Sequence, residues 1–293
     1  MKIELAKSAG FCFGVKRAVK MVYSALDEDK KICTLGNIIH NKNFIYELKN
    51  KGVRVINDIS EVKKDEAMII RSHGVSGDVY EKLKLKSIKF LDGTCPFVSK
   101  IHKIVGQNFI NELSGDIVPK EKILVIIVGD ENHPEINGII GHCIYDYKII
   151  ADSDEMNTFL LRNEKIKNKI IKVVAQTTYT ESELKKCVSI IKDNFCNYEI
   201  FDTICDETKK RQDEAKNMSK QKDIMIIIGD KSSSNTQKLV NVCKENCKTI
   251  LIESAEDLHN YNLNKYKNIG VTAGASTPTD VITGAIKKIY SYI

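Results

Sequence analysis

No apolar run in this 293-residue sequence approaches the roughly 20 residues that cross a bilayer. The longest runs, such as Ile123–Val128 and Ile224–Ile228, are far shorter. The opening Met1-Lys2-Ile3-Glu4-Leu5 lacks the charged, then apolar, then small pattern of a signal peptide. A cytoplasmic location without a membrane partner is therefore expected. There is no concentrated basic stripe. Net charge is +6, from 45 basic and 39 acidic side chains. That balance suits an anionic small substrate or an acidic protein partner, and argues against nucleic acid as a partner. There is no GxxxxGK[ST] loop and no GxGxxG fingerprint, which excludes ATP or a nicotinamide in a standard pocket. Close CxxC pairs, the mark of structural zinc sites, are also missing.

Cysteine, by contrast, is plentiful. Nine occur in a chain that is 42% apolar and 29% charged, a globular composition. An odd count without a secretion signal argues against a disulfide framework and points to catalytic or metal-bound thiols.

A weak repeat organises the chain. Each copy opens with a cysteine-bearing turn, followed by a helix, an apolar strand ending in Gly or a hydroxyl residue, a second helix and a second strand. The first copy starts at Gly10-Phe11-Cys12-Phe13-Gly14, with a helix over Val15–Leu26 and strands Ile32–Leu35 and Ala67–Ile70. The second starts at Gly93-Thr94-Cys95-Pro96, with a helix over Phe97–Asn111 and strands Ile123–Val128 and Lys172–Ala175. The third starts at Thr203-Ile204-Cys205-Asp206, with a helix over Glu207–Ser219 and strands Ile224–Ile228 and Ile269–Thr272. Continuous apolar strands alternating with helices predict parallel sheets covered on both faces, with functional groups beyond the carboxyl ends of the strands. Three similar α/β domains around a shared centre are the expectation.

Cys12, Cys95 and Cys205 hold the equivalent place in each copy, just before a helix. A helix start lowers a thiol's pKa and favours the metal-binding thiolate. Three separated thiolates suit an iron–sulfur cluster whose fourth iron keeps an open position. Cys33, Cys143, Cys187 and Cys196 read as core or surface, and Cys243 and Cys247, four apart on a helix, as structural.

Polar residues gather where the strands end: His40 and His73 in the first copy, His133, Glu135, Thr177 and Thr178 in the second, Ser233, Ser234, Asn235 and Ser276 in the third. A diphosphate needs many donors in a small concave space, and these residues supply them. The stretch Ser232–Thr236 reads either as an anion nest or as a serine-rich N-cap of a helix beginning near Gln237. A carboxylate beside a cluster and an anion holds its proton near neutrality, so Glu135 reads as a proton donor. His102 is expected on an exposed helix face, and His142 and His259 stand outside any motif.

Several blocks occur in fixed order: GFCFGVKRA (10–18), LGNIIHN (35–41), RSHGVS (71–76), DGTCPFVSKIH (92–102), HPEING (133–138), AQTT (175–178), DTICDETKKRQ (202–212), SSSNT (232–236) and VTAGAST (271–277). Together they resemble the 4-hydroxy-3-methylbut-2-enyl diphosphate reductase family, also called IspH or LytB, over nearly the full chain. Phe13 and Thr277 depart slightly from its pattern. The resemblance implies three α/β domains with small, mostly parallel sheets, in a pseudo-threefold trefoil around a central cluster. Their bounds would be 13–95, 96–204, and 1–12 with 205–293. It implies one [4Fe–4S] cluster with three ligands, Cys12, Cys95 and Cys205, and one open iron site. His40, His73, Ser233, Ser234, Asn235 and Ser276 would hold the diphosphate. His133 and Thr177 would lie near the substrate's hydroxyl end, and Glu135 would deliver the proton. The implied reaction is reductive dehydroxylation of (E)-4-hydroxy-3-methylbut-2-enyl diphosphate to isopentenyl and dimethylallyl diphosphate, with a ferredoxin or flavodoxin as electron donor. This is the last step of the methylerythritol phosphate route to isoprenoids. The RNA-binding extension of some relatives is not expected here. The alternative reading is an iron–sulfur hydro-lyase that eliminates water without net electron transfer.

Overall fold

The computed structural model describes residues 2–28, 30–110 and 115–292. It divides into two compact units, the first Met1–Arg71 with Asp206–Ile293 and the second Ser72–Cys205. Along the chain, the first unit begins with β1 (Lys2–Leu5), α1 (Phe13–Asp27), β2 (Lys31–Leu35), α2 (Lys42–Asn50), β3 (Arg54–Ile56) and β4 (Glu66–Ile70). The second unit holds α3 (Gly77–Leu85), β5 (Phe90–Asp92), α4 (Pro96–Gly106), β6 (Ile123–Val128), α5 (Pro134–Ile140) and β7 (Asp146–Ile150). It continues through α6 (Ser153–Arg162), β8 (Ile170–Ala175), α7 (Glu181–Asn194) and β9 (Tyr198–Ile200). The chain then returns to the first unit with α8 (Asp206–Ser219), β10 (Ile224–Ile228), α9 (Ser234–Lys244), β11 (Lys248–Ile252), β12 (Asn268–Ala273) and α10 (Thr279–Tyr290).

Three parallel sheets result. In the second unit the order is β7-β6-β8-β9. In the first unit one sheet runs β1-β12-β10-β11, and in the other β2 lies between β3 and β4. The strand sequences explain which members are central. Every side chain of β6 and β10 is buried. Alternation sends Leu124, Ile126 and Val128 into one core and Ile123, Val125 and Ile127 into the other, on opposite faces of the sheet. Each such side chain gains roughly 1.5–3 kcal/mol on burial, so a strand with apolar residues on both faces belongs in the middle. β7, with Asp146 and Tyr147 exposed, can only be an edge.

The helices follow the same logic. α1 buries Val15, Ala18, Val19, Val22 and Ala25, the three- and four-residue spacing of one helical stripe. The six expected strands and the three expected helices are present, with adjusted ends. α4 stops at Gly106, before the expected limit of Asn111, which lies outside the described residues. Tertiary bonds take over there: the Val105 carbonyl accepts from the Ile144 amide at 3.2 Å, and the Gln107 carbonyl accepts from the Tyr145 hydroxyl at 2.7 Å. α9 starts at Ser234 rather than near Gln237, because Ser233 caps it. The short or polar strands β1, β3, β5, β7, β9 and β11 carry too little periodicity to have been read.

Candidate active site

In the second unit the strand-end segments form one hydrogen-bonded cluster. Register places the end of β6 beside the end of β8, with Val128 opposite Ala175. The loops that follow therefore meet. His133 is the N-cap of α5: its Nδ1 accepts from the Glu135 amide at 3.2 Å, and Pro134 occupies the first turn. That bond fixes the neutral tautomer with the proton on Nε2, facing away from the helix. The cap turns Glu135 inward, where it is 1% exposed. The Thr177 amide donates to Glu135 Oε1 at 2.6 Å, and the Thr177 hydroxyl to Oε2 at 2.7 Å. Burial drives the Glu135 carboxyl up to about 7, and the two Thr177 donors hold back only part of that rise. A carboxyl poised at neutral pH beside a hydroxyl can pass a proton in either direction.

Two cysteines are tied to this cluster through the backbone. The Cys205 amide donates to the Thr177 carbonyl at 3.0 Å, and Thr203 Oγ1 closes both the amide and the carbonyl of Ala175 at 2.7 Å. Cys95 is the N-cap of α4, and its amide donates to the Ser72 carbonyl at 3.0 Å, one residue before His73. The His73 and His133 rings meet edge to face, with centroids 5.3 Å apart.

In the first unit the ends of β2, β10 and β12 bring His40, Asp230, Ser233 and Ser276 into one neighbourhood. The Ser276 hydroxyl donates to the His40 carbonyl at 3.2 Å. Burial lowers the pKa of the His40 ring, and Arg71 adds to that against the opposing charge of Asp230. Ser233 is the N-cap of α9, its hydroxyl accepting from the Thr236 amide at 3.4 Å. The Ser232 amide and hydroxyl both go to Asp230 Oδ1, at 2.8 and 2.6 Å. The Ser232–Thr236 stretch is thus a capped helix start with part of its donors already used. Ser234 opens the helix, and Asn235 in the first turn is buried. Its Nδ2 and the Arg71 Nε are buried donors with no acceptor among the described residues. Buried donors lacking acceptors are costly, and an anion would satisfy them.

Cys12 is the N-cap of α1, with its amide on the Ala275 carbonyl at 3.2 Å. Gly10 before it has φ +97°, a conformation that favours glycine. Arg211, 2% exposed on α8, locks this turn: its guanidinium donates to the Gly10 carbonyl at 3.0 Å and the Ala273 carbonyl at 2.9 Å. One side chain thereby fixes the segments bearing Cys12 and Ser276.

None of the nine cysteines is in a disulfide. Cys12, Cys95 and Cys205 are half-buried. Burial pushes the thiols of Cys33, Cys187 and Cys243 up to about 11, 12 and 12, and raises Cys143 and Cys247 as well. Those five are poor thiolates, whereas three half-buried thiols at helix starts form a donor set that fits an iron–sulfur group.

The sequence reading missed Arg71, Asp230 and Arg211. The first two flank predicted residues, but nothing in their spacing marks them. His102 is corrected: it is not on an exposed face but 8% exposed, its ring stacked on His142 with centroids 4.2 Å apart and planes 23° from parallel. A helix face reads as exposed when its neighbour in sequence is polar, but here Gly74 and Gly138 leave room that the imidazole fills.

The fold and site define a parallel α/β protein with cysteines at helix starts and histidine, serine and carboxyl groups at strand ends. The LytB protein family model matches residues 3–290, and the chain belongs to that family. It is 45% identical over 294 residues to a protein of Thermoanaerobacter sp. (strain X514) described as 4-hydroxy-3-methylbut-2-enyl diphosphate reductase, covering 99% of this chain and 96% of that one. A Clostridioides difficile (strain 630) protein of the same description is 42% identical, with 96% of each chain covered. A solved structure of (E)-4-hydroxy-3-methyl-but-2-enyl diphosphate reductase, the terminal enzyme of the non-mevalonate pathway, aligns with TM-score 0.68 at 36% identity over 99% of both chains. The Plasmodium falciparum reductase aligns with TM-score 0.84 at 27% identity, covering 99% of this chain and 87% of that one. No helix among the described residues is long and apolar enough to cross a membrane.

Proposed function

We propose that this chain reduces (E)-4-hydroxy-3-methylbut-2-enyl diphosphate to isopentenyl and dimethylallyl diphosphate, the last step of the methylerythritol phosphate isoprenoid pathway. The observation that carries the reading is the buried Glu135–Thr177 pair, one backbone hydrogen bond away from Cys205. A protonable carboxyl beside a candidate metal ligand is what reductive removal of a hydroxyl requires. In balance, the allylic C–O bond breaks, two electrons and two protons are consumed, and water leaves. Protonation at either end of the allylic unit gives the two products.

In this reading Cys12, Cys95 and Cys205 hold one [4Fe–4S] cluster with an open iron position. Such a cluster supplies electrons one at a time and a Lewis-acidic site for the hydroxyl oxygen. His40, His73, Ser233, Ser234, Asn235 and Ser276 bind the diphosphate, which supplies the acceptors that Asn235 lacks. Holding the diphosphate fixes the carbon skeleton, so binding far from the reacting bond lowers the barrier. His133, with its proton on Nε2, and Thr177 orient the hydroxyl end, and Glu135 gives the proton. The electron donor is a small acidic ferredoxin or flavodoxin, which suits the net charge of +6. The domains follow the three cysteine-led segments, 13–95, 96–204, and 1–12 with 205–293, and the location is cytoplasmic.

The test is anaerobic purification with iron and sulfide analysis, then turnover of the diphosphate with and without an added reductant. Product formation only with reductant is expected, together with loss of bound iron in Cys95→Ser. Water elimination without reductant would establish a hydro-lyase instead, and unchanged iron in Cys95→Ser would remove that ligand from the assignment.

A further inference from the structure

We propose that the His102–His142 stack is a positioning device that sets the turn carrying His73 against the helix carrying Glu135. All of its parts lie in the second unit. The inference rests on the reading above, in which His73 binds the diphosphate.

The stack touches both sides of the candidate site. On the turn side, Gly74 has φ +72°, and a Cβ there would come 2.7 Å from His102 Cε1 and 3.1 Å from Thr94 Cγ2. Only glycine lets the backbone next to His73 rest on the imidazole. His142 Nε2 lies 3.0 Å from the Val75 carbonyl. A carbonyl only accepts, so Nε2 carries the proton and donates. On the helix side, a Cβ at Gly138 would sit 3.1 Å from His102 Nε2 and 3.5 Å from the His73 carbonyl. Gly138 is one turn after Glu135, on the buried face of α5. A Cβ at Gly141 would strike Ser76, and the Gly77 amide donates to the Gly141 carbonyl at 3.2 Å. The turn and α5 are therefore packed at backbone distance, with two rings as the spacer.

The chemistry of the rings suits a fixed spacer. Close stacking against the second ring disfavours charge on His102. Burial and the neighbouring His142 bring His102 down to about 4, against a smaller opposing effect of Asp92, so it is neutral at physiological pH. Tyr80 also lies against the stack, its ring 6.0 Å from His142 and its hydroxyl donating to Asp92 Oδ2 at 2.9 Å. His102 Nε2 is buried and has no partner among the described residues. The ring thus contributes shape rather than a hydrogen bond, and a flat apolar ring should replace it.

The experiment compares wild type, His102→Ala and His102→Phe as loaded holoenzymes. In His102→Ala, KM for the diphosphate substrate and Kd for inorganic pyrophosphate should each rise about tenfold, and kcat should fall as well, since a misplaced binding group costs affinity and barrier lowering alike. Hydrogen exchange at the Gly77 amide should quicken while the amides of β6 keep wild-type protection. His102→Phe should restore KM, Kd and Gly77 protection. Unchanged pyrophosphate affinity in His102→Ala, equal losses in both variants, or lost protection across β6 would each overturn the positioning role. Wild-type protein that fails to bind pyrophosphate would overturn the proposed function, and this role with it.

Discussion

Glu66 on β4 and Glu135 on α5 are both buried, at 8% and 1% exposure, yet their carboxyl groups move in opposite directions. Burial pushes each upward. For Glu66 the Lys63 amide, the hydrogen bonds of Arg54 and its charge overcome that push, and the pKa ends below its ordinary value. Arg54 Nη1 reaches both oxygens, at 2.8 and 2.7 Å. For Glu135 the donors are one amide and one hydroxyl, burial prevails, and the group is held at about 7. Two carboxyls of one type become an ionised strut between strands and an acid poised to gain or lose its proton near neutral pH. Two differences act together: Glu135 lies deeper than Glu66, and its partners carry no charge.

The largest break in that contrast comes from Glu135→Gln. Turnover should fall by about two to four powers of ten while iron content is kept, because a positioned proton donor is worth that much. Full turnover in the variant would remove Glu135 from proton delivery. Stability carries a separate sign. The folded-state pKa lies above the unfolded value near 4.5, so wild type gains stability from the protonated group below pH 4.5 and loses it as pH rises through about 7. The loss amounts to about 3 kcal/mol at most, and urea unfolding of wild type and Glu135→Gln at pH 5 and pH 8 would measure it. A smaller change is expected for Thr177→Val. Without the hydroxyl donor the Glu135 pKa should climb further, moving the basic limb of the kcat–pH profile upward by roughly one unit. A downward shift would contradict the donor assignment. The smallest effect falls on the other member of the pair. Arg54→Met should lower Tm by a few degrees at pH 7 and weaken the acid sensitivity that Glu66 confers as pH falls through its depressed pKa, with turnover unchanged.

Much of the architecture was legible because it is local. The all-buried strands Ile123–Val128 and Ile224–Ile228 appear in the sequence as unbroken apolar runs with the observed ends. Cys12 and Cys95 were readable as helix starts from their Gly and Pro neighbours, and both are N-caps. β1 was not legible as a strand from its pattern. It is polar and mostly exposed, and exists because β12 offers it a ladder. His102 was misjudged for a related reason: whether a histidine on a helix is exposed depends on a second ring and two glycines far away in sequence. Arg211 left no trace in spacing, since its acceptors are carbonyls, which every residue possesses.

The amino-acid sequence by itself determined the alternation of strand and helix, the central strands and the residue types at the strand ends, because apolar periodicity and turn chemistry act over a few neighbours. Tertiary structure alone decided which of those residues meet: that Thr177 clasps Glu135 across 42 positions, that Arg211 binds Gly10 across 201, and that one glutamate is an acid and another a salt-bridged base. Burial and charge are properties of the assembled neighbourhood, and a linear order of side chains does not contain them.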